Sequence, residues 1–220
     1  MLTGVPEQEF TRTLFAETFD VSRETLKRLD LLVGCLEKWQ RRINLVARST
    51  LSQVWHRHIT DSAQILAHAP EAAETWVDLG AGAGFPGLVV AAIAAERRHG
   101  LRVTLVESDR RKAAFLTTAA REMGLAVAVK ACRAEDLPPT PYDVVSARAL
   151  APLPDLLALA RRCSGPATTC LFLKGAQADR ELTAARHDWH IRARPVASLT
   201  DPAATLLVLT EIAPRHDFPR

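Results

Sequence analysis

The chain's 220 residues, 48% apolar and 24% charged, read as one soluble globular domain with a sizeable core, or as one domain with a small appendage. A net charge of +3 allows a polyanionic partner without demanding one. Cys35, Cys132, Cys163 and Cys170 form no C-x-x-C pair and share no spacing with histidine, so neither a metal site nor a disulfide framework is expected, and reduced thiols in the cytoplasm are.

The opening MLTGVPEQEF carries acids where an export signal needs a basic region followed by an apolar one, so export is not expected. Residues 1–70 read as a helical segment. From Ser22 the positions Leu26, Leu29, Leu32, Leu36, Trp39 and Ile43 recur every three or four residues and form one apolar stripe. A further helix is expected over 51–68, capped by Ser49 or Thr50. No acid occurs from Lys38 to Thr60, while Lys38, Arg41, Arg42, Arg48 and Arg57 are basic; such a run can track phosphates or be a solvated helix face. His56 with His58, and His187 with His190, each lack a third ligand, so no metal is expected.

Past Pro70, short β-branched runs alternate with longer Ala/Leu/charged runs, the signature of βαβ units and a parallel sheet over 71–220. Strands are expected at 75–80, 102–107, 126–131, 142–146 and 169–174, with helices between them. Two last strands, 190–196 and 205–212, are joined by ASLTDPAA, too short for a crossover helix, and should form an antiparallel hairpin.

Between the first strand and its helix lies WVDLGAGAGFPGLVVAA. Its glycines remove the side chains that would block a ligand's approach to the backbone, and Pro86 suits a first helical position. The uncharged run here, 79–95, is shorter than a bilayer span of about 20 residues and reads as buried core, with no membrane association. Gly82, Gly84 and Gly87 spell G-x-G-x-x-G, and Glu107 ends the next strand, as in nicotinamide enzymes. Asp78 extends the motif to D-x-G-x-G-x-G, and a carboxylate there can hold the ammonium of S-adenosylmethionine, directly or through water, whereas a pyrophosphate would meet repulsion. With the terminal hairpin, this favours an α/β fold: a seven-stranded Rossmann-like methyltransferase sheet preceded by the helical segment.

LEKWQRRINLV, WHRHITDSAQIL, VDLGAGAGFPGLVVA, VTLVESDRRKAAFL, CRAEDL, DVVSARALAPLP and LFLKG, in this order, resemble the bacterial 16S rRNA (guanine-N7) methyltransferase family, known as RsmG or glucose-inhibited division protein B. The resemblance spans nearly the whole chain. It implies methyl transfer from S-adenosyl-L-methionine, with S-adenosyl-L-homocysteine as product, to N7 of guanine-527 in the 530 loop of 16S rRNA, within the small ribosomal subunit or its precursor. A monomer in the cytoplasm is expected.

Carried over to this chain, the resemblance implies cofactor contacts at Gly80, Phe85, Ala134, Glu135 and Arg148, beside Asp78, Gly82, Gly84 and Glu107 of the loop reading. Glu107 at a strand end can accept from both ribose hydroxyls. Arg133, Arg148 and Lys174 follow strand ends on the ligand-binding rim and are candidates to position the base, or surface ion-pair partners. The chain departs from many family members in having Ala204 and Thr205 where a basic residue precedes the last strand; Arg192, Arg194 and Arg215 are candidate replacements. Guanine N7 attacks with an available lone pair, so orientation in a partly dry pocket is the main requirement and no general base is needed. The fourth strand leads into SARAL and not into an Asn/Asp-Pro-Pro-aromatic motif, which argues against methylation of an exocyclic amine. On the sequence alone, a methyltransferase of another RNA or of a small molecule, a nicotinamide oxidoreductase and a non-catalytic ribosome-binding module remain open.

Overall fold

The computed structural model describes residues 10–215. Seven strands form one sheet in the order β3-β2-β1-β4-β5-β7-β6: β1 (Thr75–Leu79), β2 (Arg102–Val106), β3 (Ala128–Lys130), β4 (Tyr142–Arg148), β5 (Ser164–Lys174), β6 (Trp189–Ala197) and β7 (Thr205–Pro214). The first five run parallel, and β7 pairs antiparallel with both β5 and β6. Chain direction across the sheet reverses between β1 and β4, and the ends of those strands are where open α/β sheets hold ligands.

The two faces follow from strand alternation. Trp76, Val144, Leu171 and Leu173 face one core, shared with the helices α2 (Arg23–Gln40), α4 (Gly87–Arg97) and α5 (Arg110–Glu122). Val77, Leu79, Val145, Ala147 and Phe172 face the other, covered by α6 (Leu153–Arg162) and α7 (Ala178–Asp188). On α2 the expected stripe is buried at Leu26, Leu29, Leu32 and Leu36, and Ser22 caps the helix by accepting from the Thr25 N–H at 3.2 Å. A short α1 (Arg12–Phe19) adds Phe15 to the same core. Gln40 then closes the turn after α2: its amide oxygen accepts from the N–H groups of Leu45 and Val46, and its nitrogen donates to the Val46 carbonyl.

The expected regular helix over 51–68 is broken. Arg48–Thr50 is a tight 3-10 turn, Trp55–Thr60 a wide π turn, α3 (Asp61–Ala63) a single α turn, and Gln64–His68 again 3-10. Thr50 caps no helix here; its hydroxyl donates to the Ala47 carbonyl and meets His58 Nε2 at 2.8 Å. Long-range bonds override helix propensity: Asp61 accepts from Ser198 and Thr200, and the Gln64 amide oxygen accepts from the Leu199 N–H. In the same way α4 begins at Gly87, one residue after the expected Pro86.

Since Leu29 has no exposed surface and lies in the core that also holds Trp76 and Phe115, Leu29→Ala is expected to destabilise the whole molecule by about 2–5 kcal/mol. Far-UV circular dichroism and tryptophan fluorescence should then report one coincident unfolding transition; early loss of helix with Trp76 still buried would show that α2 unfolds by itself.

Candidate active site

The turn leaving β1 is shaped by two different demands on glycine. Gly84 has φ +83°, and a Cβ there would stand 2.4 Å from the Leu88 side chain, so its requirement comes from the helix that follows. Gly82 has φ +53°, and a Cβ would meet only the Gly80 carbonyl oxygen, at 3.7 Å. Gly82 therefore borders open space, as a backbone approached by a ligand does.

Asp78 occupies a place other than the expected one. Its carboxylate has no exposed surface: Oδ2 accepts from the Gly87 N–H at 3.0 Å and Oδ1 from the Ser146 hydroxyl at 2.7 Å. The Trp76 indole in turn donates to Ser146 at 2.8 Å. Burial pushes the Asp78 carboxyl up from 3.8 to about 7, against the hydrogen bonds from Ser146 and Gly87. The residue thus ties β1 to β4 and to the N-terminus of α4 beneath the loop, without lining the cavity above it.

That cavity, of ≈ 310 Å³, lies above the ends of β1 and β2 and is lined by Gly80, Gly82, Phe85, Glu107, Lys112 and Arg148, with Leu45 and Leu150 among the apolar walls. It falls at the lower end of the range for small-molecule sites, roughly 300–1,000 Å³. Glu107 holds its floor. Oε2 accepts from the Gly82 N–H at 2.9 Å and Oε1 from the Asp109 N–H at 2.8 Å, so the carboxylate is fixed at the end of β2 with lone pairs still available to hydroxyl groups. A fixed carboxylate acceptor beside open glycine backbone suits a ribose-bearing cofactor.

A second cavity, of ≈ 550 Å³, opens above β4 and β5 and shares Arg148, Ala149 and Leu150 with the first. Ala149 has φ +54°, unusual for a residue with a side chain, and forms part of the ridge between the two. Arg148 donates to the Arg57 carbonyl at 3.2 Å, pairs with Asp61 at 3.3 Å, and reaches His58 Nδ1 at 3.0 Å. Its guanidinium also lies 5.2 Å from the centre of the Phe85 ring, on which His58 stacks at 5.0 Å. Burial, and then the charges of Arg148 and Arg57, push His58 down to about 3, so its imidazole is neutral. Lys174 pairs with Glu181 at 2.6 Å and donates to the Ala151 carbonyl, and Arg57 pairs with Asp201 at 3.0 Å; all of these residues line this cavity.

The other expected site residues disperse. Ala134 and Glu135 form one 3-10 turn after β3, Ala134 buried and Glu135 exposed, and neither lines the two cavities. Arg133 is exposed beside them and lines neither. Ala204 does line the second cavity, but its suggested replacements are elsewhere: Arg192 pairs with Glu211, Arg194 contacts His68, and Arg215 donates to the Arg186 carbonyl. Three cations line Ala204's cavity, Arg57, Arg148 and Lys174, and Arg57 is 144 positions from its partner Asp201, a pairing that sequence spacing could not reveal. The basic run divides, since Lys38, Arg41 and Arg42 line a separate groove, and Arg48 with Arg41 a smaller one. Cys170 is buried, and burial pushes its thiol up to about 12, far from an activated nucleophile. Among the described residues no group of three His, Cys, Asp or Glu side chains could hold a metal ion, and no helix is long and apolar enough to cross a membrane.

A family model described as rRNA small subunit methyltransferase G matches residues 25–204. A ribosomal RNA small subunit methyltransferase G of Rhodospirillum centenum is 52% identical over 213 residues, covering 97% of this chain and 96% of the relative. One of Cereibacter sphaeroides is 50% identical over 194 residues, covering 88% and 94%. Among solved structures, a TehB-like SAM-dependent methyltransferase from Corynebacterium glutamicum superposes with a TM-score of 0.56 at 16% identity, over 82% of this chain and 98% of its own, a likeness of fold.

Two outcomes follow from the site's chemistry. Glu107→Gln sets an amide –NH2 against one of the two N–H groups that the carboxylate now accepts, so affinity for S-adenosylhomocysteine should fall about tenfold or more in calorimetry, the scale of losing a charged hydrogen bond of ~1.5–3 kcal/mol; an unchanged dissociation constant would remove Glu107 from the site. The second concerns Asp78. Its folded pKa, about 7, lies above its ordinary value of 3.8, so its contribution to stability is full below that ordinary value and is lost as pH rises to about 7. Denaturant midpoints of the wild type, measured relative to Asp78→Asn, should therefore decline between pH 4 and pH 8, and a flat difference would contradict the burial.

Proposed function

The chain belongs to the rRNA small subunit methyltransferase G family, and we propose that it transfers a methyl group to N7 of guanine-527 in the 530 loop of 16S rRNA. Its cofactor is S-adenosylmethionine, which supplies an electrophilic methyl group on a sulfonium. Gly80, Gly82, Phe85 and Glu107 are the residues that would hold it, with Lys112 at the edge of the same cavity.

One observation favours N7. Every carboxylate and imidazole lining the second cavity is committed: Asp61 to Arg148, Asp201 to Arg57, Glu181 to Lys174, and His58 Nδ1 to Arg148. A cavity without a free base suits a nucleophile that attacks with an existing lone pair, since nothing has to take up a proton before the methyl group moves. What the residues can do is orient the base and favour its acceptors. Arg57, Arg148 and Lys174 bring N–H donors to the cavity, matched to the O6 and N7 acceptors of guanine and to its phosphate. Leu150, 37% exposed on the ridge, offers an apolar edge that excludes water where the two cavities meet. On this reading a monomer acts in the cytoplasm on the small subunit or its precursor.

The reading is tested with small-subunit particles lacking the modification and cofactor labelled in its methyl group. N7-methylguanine carries a fixed positive charge that makes the strand cleavable after borohydride and aniline, so cleavage should map to guanine-527; label at another position, or none, would overturn the assignment. In the same assay Arg57→Ala should lower transfer about tenfold, as expected for removal of one hydrogen bond to a charged group of ~1.5–3 kcal/mol, with affinity for S-adenosylhomocysteine retained. Loss of cofactor affinity along with transfer would place Arg57 in the cofactor site instead.

A further inference from the structure

Lys38, Arg41, Arg42, Arg110 and Arg111 come together in one groove of ≈ 820 Å³, with Trp39, Ile43 and Ala114 as its apolar lining. The cations come from the end of α2 and the start of α5, and the Arg111 side chain donates to the Arg42 carbonyl across 69 positions of sequence. All five are exposed, and among the described residues none forms an ion pair. In the second cavity, by contrast, Arg57, Arg148 and Lys174 each face a carboxylate. Two acids adjoin the cluster in sequence, Glu37 before Lys38 and Asp109 before Arg110, and neither forms an ion pair with these cations; Asp109 Oδ1 accepts from the N–H groups of Arg111 and Lys112 at 2.7 and 3.1 Å. Five cations against two adjoining acids leave an excess of positive charge, and a polyanion relieves the repulsion among them. Trp39 is half-buried, its ring steeply inclined to that of Phe115 at 68° with centroids 5.9 Å apart, and it also lines the groove. Cations around one half-buried aromatic side chain match single-stranded nucleic acid, whose phosphates need charge and whose unpaired bases need a ring to stack on.

Position supports the same occupant. Lys112, next to Arg111, and Leu45, two residues past Ile43, both line the cofactor cavity. With strands in the order β2-β1-β4-β5, the groove flanks the cofactor cavity on the β2 side and the second cavity flanks it on the β4 side. We propose that the groove is a second RNA-binding site, which takes the phosphates of single-stranded rRNA adjoining the target nucleotide, with an unpaired base on Trp39. Bound in this way, the strand spans the cofactor cavity between two anchor points. The inference rests on the rRNA reading given above.

The test uses the full chain and a labelled ten-nucleotide single-stranded oligoribonucleotide, read by anisotropy across a salt series and by tryptophan quenching. The wild type should bind and be quenched. Arg110→Ala with Arg111→Ala, and separately Arg41→Ala with Arg42→Ala, should each weaken binding at least about tenfold at low salt and make the logarithmic salt slope shallower by about 0.7 for each phosphate no longer neutralised. The matching Arg→Lys pairs should restore the slope, Trp39→Phe should abolish most of the quenching, and affinity for S-adenosylhomocysteine should stay unchanged. No binding by the wild type, or unchanged affinity and slope in both Ala pairs, would overturn the groove assignment. Equal or tighter groove-dependent binding of polyglutamate would overturn it in favour of an acidic protein surface. Methylation of small-subunit particles is measured in parallel: its absence in the wild type defeats the guanine reading, while the oligonucleotide results still decide the groove.

Discussion

Asp78 sits where β1, β4 and the start of α4 meet, and its two oxygens each accept one hydrogen bond from a different element. An isolated buried carboxylate is costly, and here a helix N-terminus and a hydroxyl offset that cost. Because Gly87 N–H reaches Oδ2, the chain has to turn from strand to helix within a few residues. A side chain at Gly87 would stand 2.3 Å from Leu105 and 2.8 Å from Oδ2, so the helix can begin there only with glycine. The loop from Gly80 to Phe85 is left lining the cavity above β1 and β2, with its anchor beneath.

The loop is also held from the far side of the molecule. Phe85 lies between His58, from the π turn, and Arg148, from the end of β4. Arg148 in turn binds the backbone of Arg57 and the carboxylate of Asp61. The N-terminal segment is therefore built into both cavities, with Leu45 in the first and Arg57, His58 and Asp61 in the second.

The strands and their parallel order were legible because each is a short β-branched run bounded by turn residues, and the observed ends differ from expectation by a few residues. The antiparallel β6–β7 pair was legible from the short ASLTDPAA connection. The broken helix was not, since the hydrogen bonds that break it join residues more than 130 positions apart, such as Gln64 and Leu199. That Gly82 and Glu107 come together at one cavity was legible from spacing alone. The roles of Asp78 and Gly84 were not: the loop motif gives the residue types, while burial under α4 and the approach of Leu88 decide what those residues touch. Likewise the run from Lys38 to Arg57 looks uniform in sequence, yet Gln40 turns the chain so that its two ends face different cavities.

This bears on how a nucleotide-binding loop is told from a methyltransferase loop. Repulsion between Asp78 and a pyrophosphate is a weak discriminator here, because the carboxylate is buried beneath the loop and burial raises its pKa to about 7, leaving a substantial neutral fraction near neutrality. The stronger discriminator is at the other end of the chain. A nicotinamide-binding sheet continues past its fifth strand with further parallel βαβ units, whereas here β7 inserts antiparallel between β5 and β6. That insertion brings the turn before β7, with Thr200, Asp201 and Ala204, back over the end of β5, where those residues wall the second cavity. The feature that marks the fold is thus the one that walls the second cavity.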